Sequence, residues 1–412
     1  MIRLPTRPLP AAIGIGIAAE TLFAFRLTTP HILVFDEVHY VGAARVMRTL
    51  SHATNIEHPL MGKILIAASM IVFGDDALGW RAFSTIAGTA VVVGVFAILW
   101  LLFGRLRTAA FGAALAMLNF TVFVQARIAM LDGFMAAFVV TGLATMLWAM
   151  RGTGMQVWRR WIVGSVLLGL AVGTKWTAVP YVAYVAAAFV VVKWRGRDAW
   201  PGMGVLPALL ILGVVAGTTY LATFAPAFFY ADDPMTPAKL IPFQTTIYAE
   251  QTQILPAHTY QSGWWTWPLL IRPIWYLYEV TDGAERGILM LGNPAIMWGG
   301  LVAVALCLWG WWRGRDHRLG AAAMLWAGSV AMWAIIPKSL GFYYYYYLSS
   351  IWLPIAIAAA FDRFGRGRLR YWDESFLVLS LGLFGYFYPI IAATPLSGPQ
   401  SFRHWMWSGR WV

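Results

Sequence analysis

Apolar residues fill the chain in long runs, and short polar segments separate them. Eleven runs are candidates for helices that cross a bilayer, which needs about 20 residues; the fifth and sixth are short and poorly separated. We predict spans at 11–27, 80–103, 108–125, 131–150, 161–174, 176–193, 204–222, 293–312, 319–336, 343–361 and 375–394. The apolar segment 60–73 is shorter, which favours an interfacial helix. The pattern predicts an all-α polytopic membrane protein with about eleven transmembrane helices.

Composition agrees with this class. Of the 412 residues, 60% are hydrophobic and 12% are charged, about half the charged fraction of a soluble globular domain. The single cysteine, Cys307, lies inside an apolar run and excludes an intrachain disulfide. The N-terminal apolar run has a basic start like a signal peptide but no convincing cleavage site before Arg26, so we predict an uncleaved first span.

Basic residues concentrate in alternate loops. With eleven spans, 17 of the 30 Lys and Arg residues fall on one side of the membrane. They are Arg3, Arg7, Arg105, Arg107, Arg151, Arg159, Arg160, Lys193, Arg195, Arg197, Arg313, Arg315, Arg318, Arg363, Arg366, Arg368 and Arg370. The positive-inside rule makes this side, with the N-terminus, cytoplasmic. The net charge of +12 therefore reflects topology, and we expect no nucleic-acid partner.

The same topology divides the chain into three parts. Residues 1–222 form an N-terminal membrane part that includes a first outer loop, 28–79. A long outer loop follows at 223–292, and 293–412 form a C-terminal four-span part with an outer tail. The conspicuous polar residues converge on the predicted outer face.

The first candidate is the Asp36-Glu37 pair, which follows the first span. Adjacent carboxylates at a membrane surface are costly unless they have a function. One interpretation makes Asp36 the cap of a helix over 38–50, at its positive dipole end. The other makes Asp36 a general base that takes the proton from an acceptor hydroxyl.

The predicted helix 38–50 is amphipathic. Val38, Val41 and Leu50 are expected to face lipid, whereas Tyr40 and Arg48 share a polar side.

Basic residues of the outer face are the second group of candidates. His58 precedes Pro59 in extended backbone, and Lys63 follows one turn into the next helix. Lys63 is expected either to meet a phosphate or to extend as an interfacial lysine towards water. Lys175 interrupts the apolar sequence between the fifth and sixth spans, where a basic residue suits an anionic headgroup.

Arg127 and Asp132 flank the entry to the fourth span. They form a simple ion pair, or Arg127 binds a phosphate while Asp132 orients it. Arg272, before Pro273, binds phosphate or anchors its loop.

Aromatic residues crowd the outer loops. They are Trp264, Trp265, Trp267, Trp275, Tyr276, Tyr278, Trp405, Trp407 and Trp411. An aromatic belt at the headgroup level accounts for most of them. The five tyrosines at 343–347 surround a helix rather than forming one stacking face, which favours a belt over a sugar platform.

Six motifs occur in an order that resembles the protein O-mannosyltransferases. They are FDEVHY from Phe35, EHPLMGKILIA from Glu57, ARIAMLDGF from Ala126, GLAVGTKW from Gly169, HTYQSGWWTWPLLIRPIWYLYE from His258 and LGNPAIMW from Leu291. The resemblance extends from about Phe35 to Tyr347. It departs at Leu60, where the family has a second proline, and 223–292 leaves no room for the domain inserted in eukaryotic members.

The resemblance implies a GT-C type glycosyltransferase of a bacterial inner membrane, with an extracytoplasmic active site. The donor is a polyprenyl-phosphate mannose, the acceptor is a Ser or Thr hydroxyl of an unfolded or translocating protein, and transfer inverts the anomeric centre. The Sec translocon is a candidate partner. The resemblance places the catalytic base at Asp36, with Glu37 in support, and a conserved basic residue at Arg127. His58, Lys63, Lys175 and Arg272 are further candidates for the donor phosphate or its lipid.

Two absences complete the prediction. No Asp-x-Asp motif occurs, since Asp75-Asp76 and Asp232-Asp233 are adjacent pairs, so we predict a metal-independent reaction without a cofactor. The spans are almost free of charge, which argues against the alternative of a lipid-linked sugar transporter or flippase. A same-fold transferase acting on lipid A or another surface glycan is the nearer alternative.

Overall fold

A computed structural model describes residues 7–196, 199–365 and 367–412. Arg3, Arg197 and Arg366, three of the predicted cytoplasmic residues, lie outside this range. The described helices and strands are α1 Pro8–Ala24, α2 Glu37–Thr49, α3 Met61–Phe73, α4 Ala77–Phe103, α5 Leu106–Met117, α6 Phe120–Gln125, α7 Leu131–Ala149, α8 Met155–Val172, α9 Val179–Trp194, α10 Val205–Ala222, α11 Pro237–Thr252, β1 Ile274–Thr281, β2 Ala284–Met290, α12 Pro294–Gly314, α13 His317–Ala331, α14 Tyr347–Phe364 and α15 Trp372–Ile391.

Helix occupies each of the eleven predicted spans, which confirms the mostly helical membrane architecture. Among the described residues, seven helical segments are long and apolar enough to cross a bilayer. They are Ala77–Phe103, Leu131–Ala149, Trp176–Trp194, Val205–Phe229, Pro294–Gly314, Tyr343–Phe364 and Gly367–Ile391. The helices α1, α3 and α5 are apolar but shorter. The number eleven therefore stays a prediction.

The chain folds into two compact units, each built from separate stretches. The first unit comprises 1–35, 95–128 and 253–412, and the second comprises 36–94 and 129–252. This division differs in kind from the predicted parts 1–222, 223–292 and 293–412, which describe membrane topology and stay a prediction.

In the first unit, α12, α13, α14 and α5 pack on one another around the almost wholly buried α14. Asn293 caps α12 by accepting a hydrogen bond from the Ala295 backbone, and Pro294 occupies the first helical turn.

Loops predicted to be cytoplasmic meet at one end of the first unit. Arg105 binds Asp362 at 3.0 Å, and Arg107 binds both Asp373 at 2.8 Å and Glu374 at 2.9 Å. These ion pairs join the start of α5 to the end of α14 and the start of α15. That these loops lie on the cytoplasmic side stays a prediction.

A β-hairpin in the long outer loop was not predicted. Strands β1 and β2 pair antiparallel around Asp282 and Gly283, whose φ angles are 48° and 73°. Positive φ at both central residues suits a two-residue hairpin turn, and Asp-Gly is a favoured sequence for it. The Asp282-Gly283 signal for this turn was present in the sequence.

In the second unit, α8 packs between α7 and α10. Gly169 of α8 allows the close approach, since a Cβ at this position would lie 2.6 Å from the Ala216 carbonyl oxygen of α10. At the end of this unit that is predicted to face outwards, the Met61 backbone N–H at the start of α3 donates to the Gly173 carbonyl at 2.9 Å. This bond ties the first outer loop to the break after α8.

Helix α2 matches the prediction in position but not in the faces it presents. It covers Glu37–Thr49, and Val38 is exposed as expected. Val41, predicted to face lipid, is fully buried, and Tyr40, predicted on a polar side, is buried as well. Protein packing on α2 replaces the lipid contact that the amphipathic pattern suggested.

Candidate active site

Asp36 stands at the N-cap position of α2 and is half-buried. Its side chain makes no capping hydrogen bond to the helix, although its carbonyl oxygen accepts from the Tyr40 backbone N–H at 3.0 Å. The capping interpretation of the carboxylate is therefore wrong. The preceding residue, Phe35, has a φ of 52°, in the left-handed region that is uncommon for a bulky residue. Such conformations cluster at functional sites.

The surroundings of Asp36 favour proton uptake. Burial raises the pKa of its carboxyl to about 6. The Lys175 ammonium opposes this rise, whereas the Asp132 carboxylate adds to it. A carboxylate with a pKa just below neutrality is ionised at pH 7 and is a stronger base than an ordinary aspartate.

Glu37 is fully buried, and its carboxylate binds groups from two other segments of the chain. Arg81 of α4 binds it in two places, with Nε 2.9 Å from Oε1 and Nη2 2.8 Å from Oε2. The Ala129 backbone N–H also donates to Oε1 at 2.7 Å. Bidentate guanidinium–carboxylate pairs fix orientation strongly. Glu37 thus holds the start of α2 against α4 and against the segment leading into α7, a positioning role beside Asp36.

Asp132 and Lys175 form a second buried ion pair. The Lys175 Nζ lies 2.8 Å from Oδ2 and 3.0 Å from Oδ1 of Asp132, and both residues are almost inaccessible to solvent. Asp132, expected to pair with or orient Arg127, therefore pairs with Lys175. The carboxylate comes from the first turn of α7, and the ammonium comes from the break after α8.

Lys63 has neither of its predicted environments. It is fully buried, so it does not extend towards water. Its ammonium donates to the carbonyl oxygens of Thr54, Asn55 and His58, with the His58 contact at 2.8 Å. Burial lowers the pKa of Lys63 to about 7, and the Glu57 carboxylate opposes this shift. Lys63 shapes the loop before α3, because its three donors are used within it.

His58 and Tyr40 pack on each other beside this loop. Their ring centroids are 5.9 Å apart, at an interplanar angle of 56°. The structure thus brings Asp36, Glu37, Tyr40, His58, Lys63, Asp132 and Lys175 into the second unit.

Arg127 and Arg272 belong to the first unit. Arg127 donates to the carbonyl oxygens of Phe23, Phe25 and Arg26, at 2.7, 2.6 and 3.1 Å. These are the last carbonyls of α1 and its exit, where a cation is favourable. Arg127 is therefore a helix cap in this structure.

Arg272 anchors its loop, one of its two predicted alternatives. It donates to the carbonyl oxygens of Thr259 and Arg410, at 2.9 and 3.1 Å, and lies over the Tyr260 ring.

The aromatic residues divide into core and surface. Trp267, Tyr276 and Trp411 are buried, whereas Trp265 and Trp407 are exposed as a belt requires. Of the tyrosine run, Tyr343, Tyr344, Tyr346 and Tyr347 are buried in the first unit. The belt interpretation is therefore wrong for these four, because both the short 3₁₀ turn Tyr343–Tyr346 and the start of α14 lie inside the protein.

Sequence reasoning missed Arg81 as a partner of Glu37. The available signal was a lone arginine at the start of a long apolar span, because charged residues at such positions are usually paired or functional. Among the described residues, no group of three or more His, Cys, Asp and Glu side chains could hold a metal ion.

Comparison with known proteins identifies the relatives of the chain. Residues 71–230 match the family described as dolichyl-phosphate-mannose-protein mannosyltransferase. Residues 237–411 match the C-terminal four-transmembrane region of protein O-mannosyltransferase. The polyprenol-phosphate-mannose–protein mannosyltransferase of Mycolicibacterium smegmatis is 27% identical over 76% of this chain and 73% of its own length. The Mycobacterium tuberculosis protein of that name is 27% identical over 77% and 73%.

Solved structures share the fold. The Saccharomyces cerevisiae Pmt1–Pmt2 complex bound to the sugar donor has a TM-score of 0.86 at 13% identity, covering 100% of this chain and 93% of that one. ArnT from Cupriavidus metallidurans bound to undecaprenyl phosphate has a TM-score of 0.60 at 15% identity, covering 96% and 67%. The fold is therefore the predicted GT-C type. Because two family-specific regions match most of its length, the chain belongs to the protein O-mannosyltransferase family of membrane glycosyltransferases.

Proposed function

We propose that this protein transfers mannose from polyprenyl-phosphate mannose to Ser or Thr hydroxyls of exported, unfolded proteins. The observation that carries the proposal is the half-buried Asp36 carboxylate, which lies in the electrostatic field of the Asp132–Lys175 pair in a chain of this family. The curated relatives named as protein mannosyltransferases favour this reaction over modification of lipid A or transport.

In the proposed mechanism, the ionised Asp36 carboxylate accepts the hydroxyl proton of the acceptor as its oxygen attacks the anomeric carbon. The bond from that carbon to the phosphate oxygen breaks on the opposite face, and the configuration inverts. The polyprenyl phosphate leaves as an anion, which needs positive charge nearby. Lys175 is the predicted cation with an ammonium close enough to Asp36 to influence it.

The other predicted phosphate ligands have different contacts or roles. Lys63 and Arg272 donate to backbone carbonyls, and we assign them to loop architecture. Arg127 keeps its proposed role at the donor from the family resemblance, in addition to capping α1. His58 is proposed to contribute to the binding of the acceptor polypeptide.

We further propose a bacterial inner-membrane location, with the N-terminus in the cytoplasm and the active site outside it. The asymmetric distribution of Lys and Arg supports this orientation. An acceptor that is still unfolded makes the Sec translocon a candidate partner.

The proposal is tested with purified protein in bilayer discs, radiolabelled polyprenyl-phosphate mannose and synthetic Thr-containing peptides. Label should appear in the peptides, and peptides with Thr replaced by Val should remain unlabelled. Polyprenyl-phosphate glucose is added as a competing donor, and lipid A is added as a competing acceptor. Two outcomes would contradict the proposal: incorporation of label into lipid A, or the absence of label from every peptide.

We expect the rate to depend on the ionisation of Asp36. Because the base works as a carboxylate with a pKa of about 6, kcat/KM should fall about tenfold per pH unit below that value and level off above neutrality. The profile is measured with saturating donor between about pH 5 and 8, after confirming that activity returns at pH 7. A rate that stays flat across this range would contradict the assignment.

We expect transfer to be independent of divalent metal. In the proposed mechanism, fixed positive charge on the protein stabilises the leaving phosphate. Activity should therefore remain within about twofold after incubation with EDTA and passage through a chelating resin. Loss of activity that added Mg²⁺ or Mn²⁺ restores would show that a metal supplies the charge.

A further inference from the structure

A small cavity lies in the second unit, the unit that also contains Asp36. Its volume is about 80 Å³, and its apolar wall is supplied by Ala53, Ile56, Leu60, Phe224, Ala227, Met235 and Phe243. Thr54, His58 and Tyr230 add polar groups, and Asp233 and Lys239 complete the lining.

Hydrogen bonds join the two chain segments that form the cavity. The backbone N–H groups of Ala231 and Asp232 donate to the carbonyls of Leu50 and Ser51, both at 2.8 Å. At the other end, the Gln251 Nε2 donates to the Glu57 carbonyl at 2.7 Å. The segment before α3 and the segment around α11 are therefore tied to each other on both sides of the cavity.

Two packed rings connect the cavity to the start of α2, where Asp36 lies. Tyr40 lies one helical turn after Asp36 on α2, and its ring packs on the ring of His58, which lines the cavity. A polypeptide in extended conformation covers about 3.3–3.6 Å per residue. A chain whose hydroxyl lies at Asp36 and which extends along these two rings would place a residue a few positions away in the cavity.

The charges of the lining exclude a phosphate as occupant. Among the described residues that line the cavity, Lys239 is the permanent cation, and it forms an ion pair with Asp233. Both side chains are at least half exposed to solvent. A neutral group suits such a lining, whereas a polyprenyl chain would have to lie against solvated charges.

The size of the cavity decides between the two remaining kinds of neutral ligand, a sugar ring and an aliphatic side chain. A cavity of about 150 Å³ in another protein holds one benzene molecule, so a volume of about 80 Å³ accommodates three or four carbon atoms. A hexose ring with its hydroxyls is too large. The side chains of Val, Leu and Pro have the matching size.

We propose that this cavity binds an aliphatic side chain of the acceptor polypeptide, a few residues from the hydroxyl that is glycosylated. The proposal rests on the proposed function and adds an acceptor preference to it. The cavity supplies burial for the side chain, and the rings of His58 and Tyr40 link that side chain to the position of the acceptor hydroxyl at Asp36.

The test uses synthetic peptides with one Thr and with Gly, Val, Leu or Phe at each of three positions on either side. At one position, Val or Leu should lower the acceptor KM about tenfold relative to Gly. The donor KM should not change. Equal KM values at all six positions, with normal transfer, would overturn the cavity proposal while leaving the proposed function intact. No transfer to any peptide would instead refute the proposed function.

Two variants connect the preference to the cavity. Ala227→Leu fills the cavity and should abolish the tenfold preference, whereas Ala249→Leu on the exposed face of α11 should retain it. Phe243→Ala enlarges the cavity and should shift the preference from Val and Leu to Phe. A misfolded protein cannot acquire a new preference, so this gain distinguishes specificity from damage. An unaltered preference in both cavity variants would overturn the proposal.

Discussion

Replacing Asp36 with Asn will lower kcat for mannose transfer by a factor on the order of 10²–10⁴, the usual contribution of a general base. The amide has nearly the shape of the carboxylate but accepts no proton from the acceptor hydroxyl. Since the Asp36 side chain makes no capping bond to α2, the change should not loosen the helix. Donor affinity should remain within about twofold, measured by binding of a labelled polyprenyl-phosphate sugar.

The matched control is Asp75→Asn, in the same unit. Asp75 binds Arg45 of α2 at 2.9 Å in a partly exposed ion pair, and such pairs contribute little. This variant should keep more than about half of the wild-type kcat. If Asp36→Asn is fully active, another group removes the proton and the assignment of the base is wrong.

The second large effect concerns the buried pair of Glu37 and Arg81. Glu37→Met leaves the Arg81 guanidinium, 1% exposed, without the carboxylate that binds it in two places. Breaking a buried ion pair on one side costs about 3–5 kcal/mol. We therefore expect a lower melting temperature in detergent and a loss of transfer activity, with Arg81→Met giving similar results.

The double variant Glu37→Met/Arg81→Met separates stability from positioning. Replacing both partners of a buried pair with apolar residues is often neutral for stability, so the melting temperature should recover most of its loss. Activity should remain low, because the bonds that fix the start of α2 to α4 and to Ala129 are gone and Asp36 is no longer held in place. The deficit should appear in kcat rather than in the donor KM.

Arg81→Lys provides the conservative comparison. A lysine keeps the charge but not the bidentate geometry. Compared with Arg81→Met, Arg81→Lys should therefore recover more of the melting temperature than of kcat. Arg45→Gln, which also removes a link from α2 to the segment before α4, should change neither quantity appreciably. A double variant with wild-type kcat would show that the pair stabilises the fold without positioning Asp36.

The candidate site was predictable in part. Adjacent carboxylates at the end of an apolar run indicated Asp36 and Glu37, and their motif carried the family resemblance. The sequence did not distinguish their roles, because each is an acidic residue at the same membrane edge. The structure distinguishes them through their partners: Glu37 is bonded to Arg81 and Ala129, and the Asp36 carboxylate makes no capping bond.

The sequence did not decide which groups the basic residues bind. Phosphate binding was one of the two predicted alternatives for each of Lys63, Arg127 and Arg272, and in the structure each donates to backbone carbonyls. A cation near a membrane surface binds a phosphate, a carboxylate or a carbonyl, and the sequence gives the same signal for all three. Which acceptor lies within reach depends on chain segments that are distant in sequence.

The sequence by itself determined the helices and their class, because a segment in hydrocarbon must satisfy its backbone polar groups internally and does so as a helix. That constraint is local, so runs of apolar residues were sufficient. Tertiary structure alone decided which charges meet: Glu37 with Arg81, 44 residues apart, and Asp132 with Lys175, 43 residues apart. It also decided that α2 and the tyrosine run are buried by protein, since apolar surface looks the same in a sequence whether lipid or protein covers it.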